Sequence, residues 1–111
     1  ALVRRHDARR GGALVLAALQ FDTGSRSARI GEQPIVLSAR ECIVLQYLML
    51  KTDSVVTREQ LMALVPGWDA ATSANALELL ISRLRAKVEP GGVRLRTVRG
   101  LGYRLELAAP E

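Results

Sequence analysis

The stretch of sequence that decides the fold is NALELLISRLRAKVEPGGVRLRTVRGLGYRL, residues 75–105. As far as Val88, apolar residues recur at the spacing of an amphipathic helix. Pro90 and the two glycines that follow it stop that helix. Beyond them, apolar and polar residues alternate on both sides of a glycine-containing turn at residues 99–102. The stretch therefore predicts a helix followed by a β-hairpin.

The positive charge of the chain is concentrated in this same stretch. Residues 83–104 contain seven lysines and arginines and one acid, Glu89, so their net charge is +6, whereas the whole chain carries +5. The net positive charge of the chain therefore comes from one predicted helix and one predicted hairpin. Such a surface attracts a duplex polyanion, because binding there releases condensed counterions. The alternative is a solvated basic face that has no partner.

Length and composition exclude several classes of protein. A chain of 111 residues with 49% hydrophobic residues has room for one folded domain with one core. No apolar run is long enough to cross a bilayer, and no secretory signal is visible. The single histidine, His6, stands alone in the N-terminal segment and the single cysteine, Cys42, falls on a predicted core face, so we expect no nucleophile–base pair, no metal cluster, no enzyme and no cofactor. Together with the absence of an internal disulfide, these features indicate a cytoplasmic protein.

The sequence upstream of the decisive stretch divides into a linker and a strand-rich region. Residues 1–12 carry four arginines and end in two glycines, which predicts an interdomain linker. Residues 13–111 are expected to form the folded domain. Its first part consists of short apolar runs separated by turn formers at residues 22–25 and 31–34. This pattern predicts three or four antiparallel strands, near residues 14–16, 18–22, 28–30 and 35–37.

Two capping boxes predict where the next two helices begin. Ser38 with Glu41 opens the first helix, and Thr57 with Gln60 opens the second, which Pro66 stops. A short strand at residues 55–56 is expected between them. The core stripe of the first helix is predicted to be Cys42, Leu45, Leu48 and Met49.

The third helix, expected to begin near Thr72 or Ser73, has two distinct faces at about 100° per residue. Its core face is predicted to be Leu77, Ile81, Leu84 and Val88. The opposite face collects Asn75, Leu79, Ser82, Arg83 and Ala86, with Arg85 and Lys87 on its shoulders. Such a low-profile face with one central guanidinium suits a major groove, while the shoulder cations suit the phosphates. Leu79 either contacts a thymine methyl group or is covered by a neighbouring loop.

The order of a sheet, three helices and a hairpin is that of a winged helix-turn-helix. This is an α+β fold with an N-terminal antiparallel β-sheet, three helices and a C-terminal β-hairpin wing. The blocks LSARECIVLQYL, VVTREQLMALV and ALELLISRLRAKVEPGGVRLRTVRGLGYRL resemble the DNA-binding effector domain of OmpR/PhoB-type response regulators. The resemblance covers most of the chain. Its most specific parts are the I-x-R-L-R-x-K pattern of the helix and the TVRGLGY of the wing.

The resemblance implies a role for individual residues. It implies that Arg83 reaches the major groove, and that Arg85 contacts a phosphate or the groove edge. Thr97 and Arg99 are similar to wing residues that touch the backbone and enter the minor groove, and Asn75 occupies a phosphate-contact position. The complete set of candidate DNA contacts is Asn75, Leu79, Ser82, Arg83, Arg85, Lys87, Thr97 and Arg99. Three positions depart from the family's pattern: Cys42, Leu80 and Ser82 stand where phenylalanine, histidine and a basic residue are common.

The resemblance also implies partners. In the family, the loop that contains Trp68 and Asp69 faces RNA polymerase, although core packing is equally compatible with Trp68. A receiver domain preceding the linker, phosphorylated through a sensor histidine kinase, would promote dimerisation on tandem direct repeats of duplex DNA, while the isolated domain stays monomeric. Two alternatives remain: the DNA-binding domain of a one-component regulator, and a winged-helix protein-interaction module. A salt-sensitive mobility shift on duplex DNA separates the last from the others.

Overall fold

The N-terminal third of the domain is a small antiparallel sheet. The computed structural model describes residues 13–65, 67 and 70–108, and only the backbone of residues 70–74. The first four strands, β1 to β4, pair in sequence order. They are Ala13–Leu16, Leu19–Asp22, Ser27–Ile30 and Gln33–Ile35. In β2, Leu19 and Phe21 are buried on one face while Asp22 is exposed, which is the alternation that a half-buried strand requires.

The fourth strand differs from the prediction. It occupies Gln33–Ile35 rather than residues 35–37, so Pro34 lies within a strand and not in the preceding turn. The turn is shorter than expected because Gly31, with φ +60°, lets Ile30 pair directly with Gln33. Pro34 is tolerated because β4 is an edge strand of the described sheet. A similar two-residue turn at residues 17–18 delays β2 until Leu19.

Both capping boxes are confirmed. Helix α1, Ala39–Leu50, begins after Ser38, whose Oγ accepts a hydrogen bond from the Glu41 N–H at 3.1 Å, while Glu41 Oε1 accepts from the Ser38 N–H at 2.9 Å. Helix α2, Arg58–Leu64, begins after Thr57 with the same reciprocal pair to Gln60. Each box satisfies two backbone N–H groups that a helix start would otherwise leave unpaired. The short strand between the helices, β5, is Val56–Thr57.

The third helix, α3, spans Ala70–Val88 and begins earlier than predicted. The sequence favoured a start near Thr72 or Ser73, because both residues are good N-caps. Residues 70 and 71 are alanines, which have the highest helix propensity, and the helix continues through them. At its other end, α3 passes into a single 3₁₀ turn, Glu89–Gly91, at the predicted stop.

The C-terminal hairpin forms the wing, with strands β6, Val93–Val98, and β7, Gly102–Leu107. The short β5 pairs with the outer edge of β7, so the strand order of this second sheet is β5-β7-β6. The wing turn holds residues 99–101 only, because Gly102 already pairs with Thr57 and Val98 inside the sheet. The sequence pattern predicted Gly102 in the turn, but in the structure Gly102 lets β5 approach β7 closely.

One core joins both sheets to the three helices. The predicted core residues of α3, Leu77, Ile81, Leu84 and Val88, are all buried, as are Cys42, Leu45, Leu48 and Met49 of α1. Both predicted stripes are therefore confirmed. The turn between β1 and β2 also contacts the 3₁₀ turn that follows α3, where the Ala18 N–H donates to the Gly91 carbonyl at 3.0 Å. This contact fixes the sheet against the base of the wing.

The two glycines of the wing should respond differently to substitution. At Gly102, an added Cβ would overlap the backbone of Val56 and Thr57, which cannot move without breaking the β5–β7 pairing. At Gly100, an added Cβ meets open space, and the only cost is its φ of +77°. We expect Gly102→Ala to lower the free energy of unfolding by about 3 kcal/mol and Gly100→Ala by about 1 kcal/mol. Urea unfolding measures both, and equal losses would contradict this account.

Candidate nucleic-acid interface

The exposed face of α3 is the one that the helical wheel predicts. Asn75, Leu79, Ser82, Arg83 and Ala86 are all exposed, while the opposite stripe is buried. This separation follows from the 3.6-residue period, because burying one stripe forces the residues half a turn away outward. The face therefore presents small or flat side chains around one long cation.

Leu79 lies at the rim of a groove between α3 and the start of α1. The groove has a volume of about 390 Å³. Its lining residues are Ser38, Ala39, Arg40, Glu41, Ala76, Leu79, Leu80 and Arg83. Leu79 is 51% exposed, so the described loops do not cover it. Leu80, where the family often has histidine, is 7% exposed and forms part of the core.

On this face of the described chain, Arg83 is the cation that has no partner. Among the described residues, its guanidinium has neither a hydrogen bond nor an ion pair, although it lowers the pKa of the nearby Glu41 through its charge. A guanidinium with all its donors available can form a bidentate pair with the edge of a guanine. The geometry thus leaves Arg83 available to an external acceptor.

Arg85 and Thr97, two of the predicted DNA contacts, are bonded to each other. Arg85 Nη2 donates to Thr97 Oγ1 at 3.0 Å, and Arg85 Nε donates to the Leu95 carbonyl at 2.9 Å. Arg85 Nε also lies 4.0 Å from Glu89 Oε2, one turn further along. The shoulder of α3 is therefore connected to the wing strand β6.

Lys87, on the other shoulder, pairs with a buried acid. Its Nζ lies 2.7 Å from Glu41 Oε1, and Glu41 is only 4% exposed. Burial raises the pKa of Glu41, but hydrogen bonds from Lys87 and the Ser38 N–H outweigh that effect and leave the pKa below its ordinary value of 4.5. One carboxylate thus caps α1 and holds the C-terminal half of α3.

The wing carries both paired and unpaired arginines. Arg99 is exposed at the turn, and Arg94 is exposed on β6; within the described chain neither has a hydrogen-bond or ion-pair partner. Arg96 and Arg104 instead share Glu106, at 3.5 Å and 2.8 Å, and the hydrogen bond from Arg104 holds the pKa of Glu106 below its ordinary value. Of the seven basic residues in 83–104, the described structure leaves Arg83, Arg94 and Arg99 unpaired.

The acids that pair with these cations were not predicted from the sequence. Arg85 and Glu89 stand four residues apart on a helix, a spacing at which an ion pair is expected, so the sequence contained that signal. Lys87 and Glu41 are 46 residues apart, and no local pattern indicates their contact. The capping box placed Glu41 at the start of α1 but did not show what else its carboxylate binds.

The other sequence predictions concern Cys42, metal binding, membrane spans, and residues that the structure does not describe. Cys42 is buried, its Sγ donates to the Arg26 carbonyl at 3.3 Å, and burial raises the pKa of its thiol. Within residues 13–65, 67 and 70–108, no cluster of His, Cys, Asp and Glu could hold a metal ion, and no helix has the length and apolarity needed to span a bilayer. Trp68 and Asp69, like the linker 1–12, lie outside the described residues.

Comparison with known proteins gives consistent matches. Residues 32–105 match the family described as "Transcriptional regulatory protein, C terminal". The chain is 41% identical to the transcriptional regulatory protein BasR of Escherichia coli K12 over 105 residues, covering 95% of this chain and 46% of BasR. It is 38% identical to the two-component response regulator PhoP of Pseudomonas aeruginosa, covering 93% and 47%. The chain thus spans about half the length of these curated relatives.

Solved structures confirm the winged-helix fold. The DNA-binding domain of CpxR from E. coli superposes with a TM-score of 0.75 at 31% identity, covering 87% of this chain and 98% of that domain. The DNA-binding domain of response regulator AdeR, in complex with an intercistronic region, superposes with a TM-score of 0.71 at 28% identity, covering 84% and 98%. The expected α+β architecture of sheet, helices and hairpin is therefore confirmed.

The Glu41–Lys87 pair predicts how stability depends on pH. Because folding lowers the pKa of Glu41, the ionised carboxylate stabilises the fold above about pH 4.5, and this contribution is lost as the pH falls through the folded-state pKa. Glu41→Gln should therefore destabilise the domain near neutral pH, by an amount that shrinks towards about pH 3. Urea unfolding at several pH values measures this difference. Glu32→Gln, the same change at an exposed turn, is the control, and a loss independent of pH would contradict the prediction.

Proposed function

Because this chain belongs to the C-terminal DNA-binding domains of OmpR/PhoB-type response regulators, we propose that it binds a specific double-stranded DNA sequence and regulates transcription as an output domain. The observation that carries the proposal is the exposed face of α3. There Arg83 has no partner among the described residues and is flanked by the small side chains of Ser82 and Ala86. Small neighbours let a helix approach base edges closely, and a free guanidinium supplies the donors.

On this proposal α3 enters the major groove. Arg83 binds a base, most simply as a bidentate donor to guanine, and Leu79 contacts a thymine methyl group. Asn75 and Ser82 contact phosphates or base edges from the same face. What supports these roles is the common exposure of the four side chains on one side of α3.

The wing supplies the second contact. Arg99 is exposed at the turn, next to Gly100, which has no side chain to obstruct the backbone. We assign it to the adjacent minor groove, where A·T-rich sequence narrows the groove and deepens its negative potential. We assign Arg85, Lys87 and Thr97 to the phosphates. A guanidinium or ammonium that shares one or two donors with the protein still has others for an anion, and the Thr97 hydroxyl, which accepts from Arg85, keeps its own O–H donor.

The remaining roles concern the whole regulator. We propose a receiver domain that precedes the linker 1–12, phosphorylated through a sensor histidine kinase, and a contact of Trp68 and Asp69 with RNA polymerase. Support comes from the length of the relatives, of which this chain covers about half, and from the similarity to PhoP, which is a two-component response regulator. The protein acts as a cytoplasmic, non-enzymatic DNA-binding domain. A one-component regulator with the same domain is the second candidate.

Substituting Arg83 tests the base contact. We expect Arg83→Ala to weaken binding to an operator obtained by in vitro selection by about 1–3 kcal/mol, while binding to random duplex DNA falls much less. Fluorescence anisotropy at fixed salt measures both. The control is Arg29→Ala, which removes the same charge from the N-terminal sheet, where Arg29 contacts Gln20. If Arg83→Ala weakens operator and random DNA equally, Arg83 does not contact a base.

The number and spacing of half-sites test the assembly. One helix and one hairpin turn contact too few base pairs for genomic specificity, so a second copy on the same duplex is needed. We expect the chain to be monomeric in sedimentation experiments. It should bind tightly and cooperatively only to direct repeats whose centres lie roughly 10–11 bp apart.

Inserting about half a helical turn between the repeats should abolish this cooperativity and leave single-site affinity intact. A stable dimer without DNA, or a preference for inverted repeats, would contradict the proposed assembly.

A further inference from the structure

Two side chains hold the outer edge of the wing strand β6: Arg85 of α3 and Glu89 of the turn that follows α3. β6 pairs with β7 on one side only, and among the described residues no strand lies on its other side. On that open side the Leu95 N–H donates to Glu89 Oε2 at 3.1 Å, and the Leu95 carbonyl accepts from Arg85 Nε at 2.9 Å. Glu89 and Arg85 thus supply the acceptor and the donor that a further strand would have supplied.

Arg85 also contacts β6 closer to the wing turn. Its Nη2 donates to Thr97 Oγ1, two residues further along β6. The side chains of Val93 and Leu95 are buried in the core, but Arg96 and Thr97 are exposed. On β6, core packing therefore ends at Leu95, and the contact at Thr97 restrains the strand beyond it.

We propose that Arg85 and Glu89 form a helix–wing clasp, which fixes the position of the wing relative to α3 so that Arg83 and Arg99 reach their two grooves together. The proposal rests on the function proposed above and adds positioning residues to it. A wing that is fixed before binding need not be ordered by the DNA, and preorganisation of this kind raises specific affinity. Binding to random duplex DNA depends mainly on charge and does not need this geometry.

Charge alone predicts the opposite effect at Glu89. Removing an acid beside a basic surface increases its attraction for DNA, so Glu89→Gln should tighten binding to every duplex if charge were all that mattered. The clasp predicts that the same change weakens operator binding. The two predictions for operator affinity differ in sign. Glu89→Gln therefore distinguishes a positioning role from an electrostatic one more sharply than a substitution of any of the cations.

The experiment uses the 111-residue chain and an operator obtained with it by in vitro selection. Operator and random-duplex affinities are measured by fluorescence anisotropy at several salt concentrations. We expect Glu89→Gln to weaken operator binding about tenfold, with random-duplex binding unchanged or tighter. Arg85→Lys keeps the positive charge but lacks the planar guanidinium that donates to both Leu95 and Thr97, so it should show the same loss of preference for the operator over random duplex. Glu32→Gln, an equal charge change on the N-terminal sheet, should retain the preference of the wild type.

A second measurement reports on the clasp itself. Amide hydrogen exchange of Leu95 should be faster in Glu89→Gln than in the wild type, because its acceptor is weakened, while urea unfolding verifies that the variant is folded. A variant that keeps the wild-type operator preference, or tightens both duplexes equally, overturns the clasp and leaves the proposed function standing. A wild type that prefers no duplex over random DNA overturns the proposed function and the clasp with it.

Discussion

The burial of one stripe of α3 is the constraint on which the rest of the structure depends. Leu77, Ile81, Leu84 and Val88 belong to the single core of the described residues, and α3 contacts α1, α2 and the wing strand β6. Once this stripe is buried, the helical period determines which residues face outward. The small side chains and the arginine of the opposite face then form a surface that duplex DNA can approach. The fold and the candidate interface are therefore two results of one packing arrangement.

Acidic residues divide the basic side chains into two groups. Glu41, Glu89 and Glu106 bind cations of α3 and the wing, whereas Arg83, Arg94 and Arg99 are exposed and have no hydrogen-bond or ion-pair partner among the described residues. The formal charge of a segment therefore overstates the number of cationic side chains that remain unpaired and able to bind a polyanion. A paired arginine has already lost part of its hydration and part of its donor capacity, whereas an unpaired one retains both.

Local patterns in the sequence were sufficient for most of the fold. The capping boxes at Ser38 and Thr57 and the apolar stripes of α1 and α3 were predictable, because each depends on residues three or four positions apart. The start of α3 and the position of β4 were predicted wrongly. Helix propensity extends α3 through Ala70 and Ala71, ahead of the predicted N-caps, and the two-residue turn at Gly31 makes β4 begin earlier than predicted. The contact between Glu41 and Lys87 was beyond prediction, because only tertiary packing brings α1 and the end of α3 together. For the candidate site, the exposed face of α3 was predicted, but the division into paired and unpaired cations was not.

Pro34 has a consequence for how copies of the domain can meet. The two-residue turn makes Ile30 and Gln33 the hydrogen-bonded pair, so the backbone groups of Pro34, opposite Arg29, point away from the sheet. A proline at that position offers no N–H to an approaching strand, and sheets with such an edge resist extension by a neighbouring molecule. In the assembly proposed above, in which two copies bind one duplex, contacts at this edge would therefore form through side chains and would not extend the sheet from one copy into the next. An association of that kind can separate again when the DNA is released.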